Sequence, residues 1–124
     1  MMKDVVFRVE AAADIGTGHL MRCITLAEYL AETGASVTFI CSALPRELQI
    51  YVQEKGFTLL NLFDTKTEDV LFNVSADVDA DRTLQLLKSR FAMVDWLVVD
   101  HYALDAAWER RMREAARNIM AIDD

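Results

Sequence analysis

The chain has 124 residues, which is the size of one domain and is enough to bury a hydrophobic core. Its hydrophobic content of 53% and charged content of 27% are typical of a globular protein. No apolar run approaches the roughly 20 residues that a membrane span requires. The formal net charge of -7 argues against binding to nucleic acid or to an anionic membrane, because phosphates are neutralised by clustered Lys and Arg.

The cysteines and the N-terminus indicate the compartment. Cys23 and Cys41 are too few for a disulfide framework and form no CxxC pair, so we expect reduced core thiols and no zinc site. The opening residues MMKDVVFRVE lack the apolar segment of a signal peptide. The sequence therefore predicts a cytoplasmic protein.

Strands and helices alternate along the sequence. Runs rich in Val, Ile and Leu predict strands at 5–9, 36–41, 57–62, 95–100 and 118–122. Helical spacing and turn residues predict helices at 17–32, 43–56, 79–91 and 103–117. This alternation predicts an α/β fold, a Rossmann-like doubly wound parallel sheet with the strand order 3-2-1-4-5. Residues 62–78 fit either a short extra strand or a loop.

Two loops, the first with glycines and both with ionisable side chains, face one crevice of this predicted sheet. Ligands of open parallel sheets bind beyond the carboxyl ends of the strands, where the strand order reverses, which here places residues 10–18 opposite residues 100–105. Gly16 and Gly18 allow a ligand or another backbone to approach closely. His19 falls in the first helical turn, where the helix dipole favours the neutral imidazole that a general base needs. The alternative is that the glycines only form a turn and the histidine is solvated.

Common nucleotide-binding motifs fit poorly. Met21 stands where a dinucleotide fingerprint needs its third glycine, and no GKS or GKT of a P-loop is present. A receiver domain would need paired acids after the first strand and a lysine after the fifth, and neither is found.

Three segments together resemble one family: FRVEAAADIGTGHLMRC, DWLVVDHYALD and MAIDD. Their order and spacing are similar to the N-terminal half of the UDP-sugar hydrolases of pseudaminic acid biosynthesis and related spore-coat polysaccharide proteins. That family shows roughly R-x-D-A-S-x-x-I-G-x-G-H-x-x-R-C, then D-H-Y-x-L-D and paired aspartates. The resemblance implies a glycosyltransferase-B architecture, in which two Rossmann-like halves close over a nucleotide sugar. Residues 1–124 would then be the N-terminal domain, and a C-terminal nucleotide-binding domain of the same chain would be its partner.

The resemblance also implies a reaction. The family removes UDP from UDP-2,4-diacetamido-2,4,6-trideoxy-β-L-altropyranose by attack of water at the anomeric carbon with inversion, using no metal and no other cofactor. One alternative is a glycosyltransferase-B-type transferase of surface polysaccharide synthesis, in which an acceptor hydroxyl replaces water. Another is a domain that keeps the scaffold without catalysis. The isolated chain is expected to fold but neither to bind UDP tightly nor to turn over.

The family pattern assigns roles to individual positions. His19 matches the histidine expected to act as the base or to orient water. The predicted substrate-binding residues are Glu10, Gly16, Gly18, Arg22, Asp100 and Tyr102. Among these, Tyr102 would line the sugar pocket, and Asp100 together with His101 would fix its own loop. Arg22 would join the pocket, lie in solvent or pair with an acid.

One departure from the pattern affects the substrate. Glu10-Ala11-Ala12 stands where the family shows Asp-Ala-Ser, which leaves the exact sugar open. Asp14 becomes the nearest short carboxylate to the glycine loop and a hypothetical orienter of His19. Asp123 and Asp124 either line the cleft or cap the next segment.

Overall fold

The computed structural model describes residues 3–10, 18–42, 44–62, 76–100 and 104–122. Within these ranges five parallel strands form one sheet in the order β3-β2-β1-β4-β5. The strands are β1 (Asp4–Val9), β2 (Ser36–Cys41), β3 (Thr58–Asn61), β4 (Val94–Asp100) and β5 (Ala116–Ala121). The helices are α1 (Gly18–Glu32), α2 (Arg46–Glu54), α3 (Ala76–Arg90) and α4 (Ala106–Met112). The predicted α/β Rossmann-like class and the predicted strand order are confirmed.

The central strand is buried on both faces, which explains why it reads as a nearly continuous apolar run. Its odd-numbered side chains pack with α1 and α2, and these are Val5, Phe7 and Val9. Phe7 stacks on Phe39 of β2 with ring centroids 5.0 Å apart. Val6 points to the opposite face and belongs to a second core under α3 and α4. The sheet therefore separates two cores.

Glycines end the first two helices as the sequence predicts. Gly34 and Gly56 have φ angles of 100° and 88°, in the left-handed region that other residues rarely adopt. The Gly34 amide donates to the Ala31 carbonyl at 3.0 Å, which satisfies one of the last carbonyls of α1. The chain can then turn directly into β2.

The predicted helix at 103–117 is too long. Helix α4 ends at Met112, and β5 begins at Ala116 rather than at residue 118. Ala115 and Ala116 favour a helix intrinsically, but the Val94 amide donates to the Ala115 carbonyl at 2.8 Å and Ala116 pairs with Val94 in the sheet. Sheet pairing and burial override the local preference.

Helix α3 begins earlier than predicted, at Ala76 instead of residue 79, so the end of the ambiguous segment 62–78 is helical. Residues 63–75 lie outside the described residues. Cys23 and Cys41 are buried and free, as expected for core thiols. None of the helices in the described part of the chain has the length and apolarity needed to cross a membrane.

The short helix α4 depends on its N-cap. The Asp105 carboxylate accepts a hydrogen bond from the Trp108 amide at 2.9 Å. We expect Asp105→Ala to lower the free energy of unfolding by about 1 kcal/mol, because this amide loses its partner. Urea unfolding measures the loss, and Asp105→Ser, which keeps a capping oxygen, should retain most of the stability. Equal losses in both variants would contradict the capping role.

Candidate functional site

The site begins where β1 and β4 end side by side. Val9 pairs in register with Asp100, the last residue of β4. His19 is the second residue of α1, whose start lies over the same edge of the sheet. The His19 Nδ1 atom is 2.7 Å from the Asp100 Oδ1 atom, so the start of the first helix meets the end of the fourth strand. This is the crevice expected from the strand order.

Arg22 completes the cluster one helical turn after His19. Its Nε atom donates to Asp100 Oδ2 at 2.9 Å and its Nη2 atom donates to Asp100 Oδ1 at 2.9 Å. This two-point geometry fixes the plane of the carboxylate. The Asp100 side chain is 3% exposed, whereas those of His19 and Arg22 are 18% and 37% exposed. The acid is thus buried beneath two residues that reach the surface.

The environment of Asp100 keeps the carboxylate ionised. Burial by itself raises the pKa of Asp100, but hydrogen bonds from Arg22, His19 and Cys23 outweigh it and hold the pKa below its ordinary value. The Cys23 thiol donates to Asp100 Oδ2 at 3.5 Å. Burial, with the Asp100 charge nearby, raises the pKa of Cys23 to about 12, so the thiol stays protonated and is no nucleophile at neutral pH.

The ionised carboxylate selects the histidine tautomer. An acceptor at 2.7 Å requires the proton of a neutral His19 ring to be on Nδ1. The Arg22 Nη2 atom, 3.0 Å from the same nitrogen, is also a donor and is satisfied by Asp100 instead. The lone pair is then on Nε2, where the ring can accept a proton. Asp100 and His19 form an oriented acid–histidine pair.

Glu10 occupies a different environment, on the other side of β1. Its carboxylate accepts a hydrogen bond from Arg8 Nη1 at 2.6 Å and from both the backbone amide and the hydroxyl of Ser42. Glu10 is 8% exposed. Its predicted substrate-binding role stays a prediction, and the contacts seen here are to the protein itself.

Arg8 is a residue that the sequence analysis missed. It lies in β1, is fully buried, and pairs with Asp79 of α3 as well as with Glu10. Burial lowers the pKa of Arg8, but the two carboxylates outweigh it and raise the pKa, so the guanidinium is charged. The signal for this pair was an arginine inside an apolar strand with an acid two residues later, on the same face.

Several predicted positions lie outside the described residues: Gly16, Tyr102, Asp14, His101, Asp123 and Asp124. Gly18 is the first residue of α1, and a Cβ added there would meet no described atom within 4 Å. Among the described residues, none therefore crowds the Gly18 backbone. Within the described ranges, no group of three or more His, Cys, Asp or Glu side chains is placed to hold a metal ion.

Comparison with known proteins supports the fold. The chain is similar to the crystal structure of a glycosyltransferase from Rickettsia africae ESF-5, with a TM-score of 0.64 and 17% sequence identity. The match covers 97% of this chain and 29% of that chain, so this chain spans less than a third of the neighbour's length. No family model and no curated protein matches the sequence. At this identity the similarity shows a broad glycosyltransferase-like α/β fold.

The lowered pKa of Asp100 makes stability depend on pH. Because an unfolded aspartate titrates near about 3.9, the ionised Asp100 adds stability above that pH and loses its contribution as the pH falls through the folded value. We expect Asp100→Asn to cost about 2 kcal/mol at pH ~7 and clearly less at pH ~3. Urea unfolding of both proteins at the two pH values measures this difference.

The control for this prediction is Asp81→Asn, which removes an exposed ion pair with Arg111. Exposed pairs contribute little, so this variant should stay close to the wild type at both pH values. If Asp100→Asn lowers the free energy of unfolding as much in acid as at neutral pH, the result would contradict an ionised Asp100 carboxylate.

Proposed function

We propose that this chain is one half of an enzyme that breaks the bond between the sugar and the diphosphate of a nucleotide sugar. The observation that carries the proposal is the cluster of His19, Asp100 and Arg22 at the edge where β1 and β4 end. In this fold such an edge is where small ligands bind. The cluster has the composition needed to remove a proton from an attacking hydroxyl group.

The proposed mechanism follows from the orientation of the histidine. His19 Nε2 accepts the proton of the attacking hydroxyl while that oxygen bonds to the anomeric carbon. The bond from this carbon to the diphosphate oxygen breaks, and UDP leaves with the bonding electrons. Asp100, held by Arg22, stabilises the imidazolium that forms without taking its proton.

Two nucleophiles fit this mechanism, and different observations favour them. An acceptor hydroxyl is favoured by the fold, since the solved neighbour is a glycosyltransferase. Water is favoured by the IGTGH, DHYALD and IDD segments, which resemble the UDP-sugar hydrolases of pseudaminic acid biosynthesis. The proposed substrate of the hydrolase is a UDP-linked diacetamido-trideoxyhexose.

A second domain is part of the proposal. The neighbour is more than three times as long as the matched region, which supports a C-terminal domain of the same chain that holds the nucleotide. We propose that the full-length protein works without a metal or other cofactor, and that the 124 residues alone neither bind UDP tightly nor turn over.

The test uses the full-length gene product and the UDP-linked diacetamido sugar in oxygen-18 water, with both products analysed by mass spectrometry. Release of free sugar without any acceptor, with no label in the UDP, identifies a hydrolase that cleaves the sugar C–O bond. UDP release only after an acceptor is added identifies a transferase. Absence of UDP release from a panel of nucleotide sugars, with and without acceptors, would contradict the proposed function.

The substitution His19→Ala tests the proposed role of His19 as the general base. We expect UDP release to fall by roughly a hundredfold or more, because proton transfer to a positioned base contributes at least that much. Tyr29→Phe is the control, since Tyr29 lies on the same helix and is 64% exposed. Full activity of His19→Ala would exclude the base assignment.

A further inference from the structure

We infer that Arg8 is a positioning residue that sets the ends of the site-forming strands and the start of α4 relative to one another. Arg8 is fully buried on the α3 and α4 face of the sheet, and His19 is on α1, across the sheet. It is therefore placed to act through other residues rather than on a substrate. The contacts of Arg8 divide into two branches. The activity measurement that tests this inference rests on the proposed function.

The first branch runs along the carboxyl edge of the sheet. Arg8 Nη1 donates to Glu10 Oε1 at 2.6 Å and to the Ile40 carbonyl at 3.4 Å. Glu10 in turn accepts from the amide and the hydroxyl of Ser42, the residue after β2. Both carboxylate oxygens of Glu10 are therefore engaged within this branch. The branch fixes where the chain leaves β1 and where it leaves β2.

The second branch reaches the helices on the same face. Arg8 Nε donates to Asp79 Oδ1 at 3.3 Å and its Nη2 atom donates to Asp79 Oδ2. Asp79 also accepts from the Trp108 indole at 3.0 Å and from the Thr83 hydroxyl at 3.1 Å. Trp108 lies in the first turn of α4, three residues after the Asp105 cap. This branch fixes the start of α4, the helix that follows β4 in the chain.

An arginine suits this role better than any apolar residue. Burying charges costs free energy, and well-packed apolar side chains at such positions often give equal or greater stability. The planar guanidinium, however, has five donors in a rigid arrangement and can hold two carboxylates at once. Arg8 joins β1 to the end of β2, to α3 and, through Asp79, to α4. The charged network therefore supplies geometry that packing alone would not specify.

Two mild substitutions disturb one branch each. Trp108→Phe removes the indole donor to Asp79 while keeping an aromatic ring, and Ser42→Ala removes the hydroxyl donor to Glu10. Trp96→Phe is the control for the first, because Trp96 is a partly exposed tryptophan of β4, 38% accessible to solvent. Ser89→Ala is the control for the second, because the exposed Ser89 hydroxyl donates to the Leu86 carbonyl of its own helix, α3.

The first readout is structural and is independent of catalysis. In the nitrogen-15-labelled 124-residue chain, Trp108→Phe should shift the NMR signal of the Ser42 amide, although the two residues lie on opposite branches. Trp96→Phe should leave that signal in place. An unmoved Ser42 signal in a folded Trp108→Phe protein would overturn the inference.

The second readout is the activity of the full-length protein. Each branch variant should lower kcat by about tenfold with KM nearly unchanged, because a small displacement of reacting groups slows chemistry more than binding. The double variant should lose less than the product of the two single effects, since both changes act through the carboxylates that hold Arg8. Wild-type kcat in both folded variants, or strictly multiplicative losses, would overturn the inference. If the wild type releases no UDP, the proposed function has failed, and the Ser42 signal alone decides this inference.

Discussion

The ionised carboxylate of Asp100 is the feature on which the candidate site depends. It lies at the end of β4, almost completely shielded from solvent, and it accepts hydrogen bonds from His19, Arg22 and Cys23. A buried charge is costly unless donors surround it. Those donors come from the first two turns of α1, so the start of that helix is fixed over the end of β4. The same bonds determine which nitrogen of His19 can accept a proton.

The two faces of the sheet serve different purposes. The face under α1 and α2 carries the histidine and its acid, whereas the face under α3 and α4 carries the buried guanidinium of Arg8. The central strand connects them, because Val9 pairs with Asp100 while Arg8 bonds to Glu10 and Asp79. The backbone at the candidate site is thus held in place from both sides of β1. This arrangement is consistent with a fold in which loops at one edge perform the chemistry and the sheet provides rigidity.

The sequence predicted well the features that depend on local residue patterns. It predicted less well the features that depend on contacts between residues far apart in the chain. Strand–helix alternation predicted the class and the strand order, and the glycines at 34 and 56 predicted the ends of the first two helices. The end of α4 was misplaced because sheet pairing at Ala116 cannot be predicted from helix propensity. His19 and Asp100 were each singled out, but their mutual bond joins residues 81 positions apart. Arg8 was missed for the same reason, since its partner Asp79 lies 71 positions away.

The measurement that tests this account most directly is the nitrogen-15 NMR spectrum of the His19 ring, recorded where the imidazole is neutral. His101→Asn removes the other of the two histidines and assigns the signals. We expect the proton to be on Nδ1 in the wild-type ring and Asp100→Asn to mix the two tautomers. A wild-type ring with its proton on Nε2 would contradict the central claim, because Asp100 would then not orient His19 as a base.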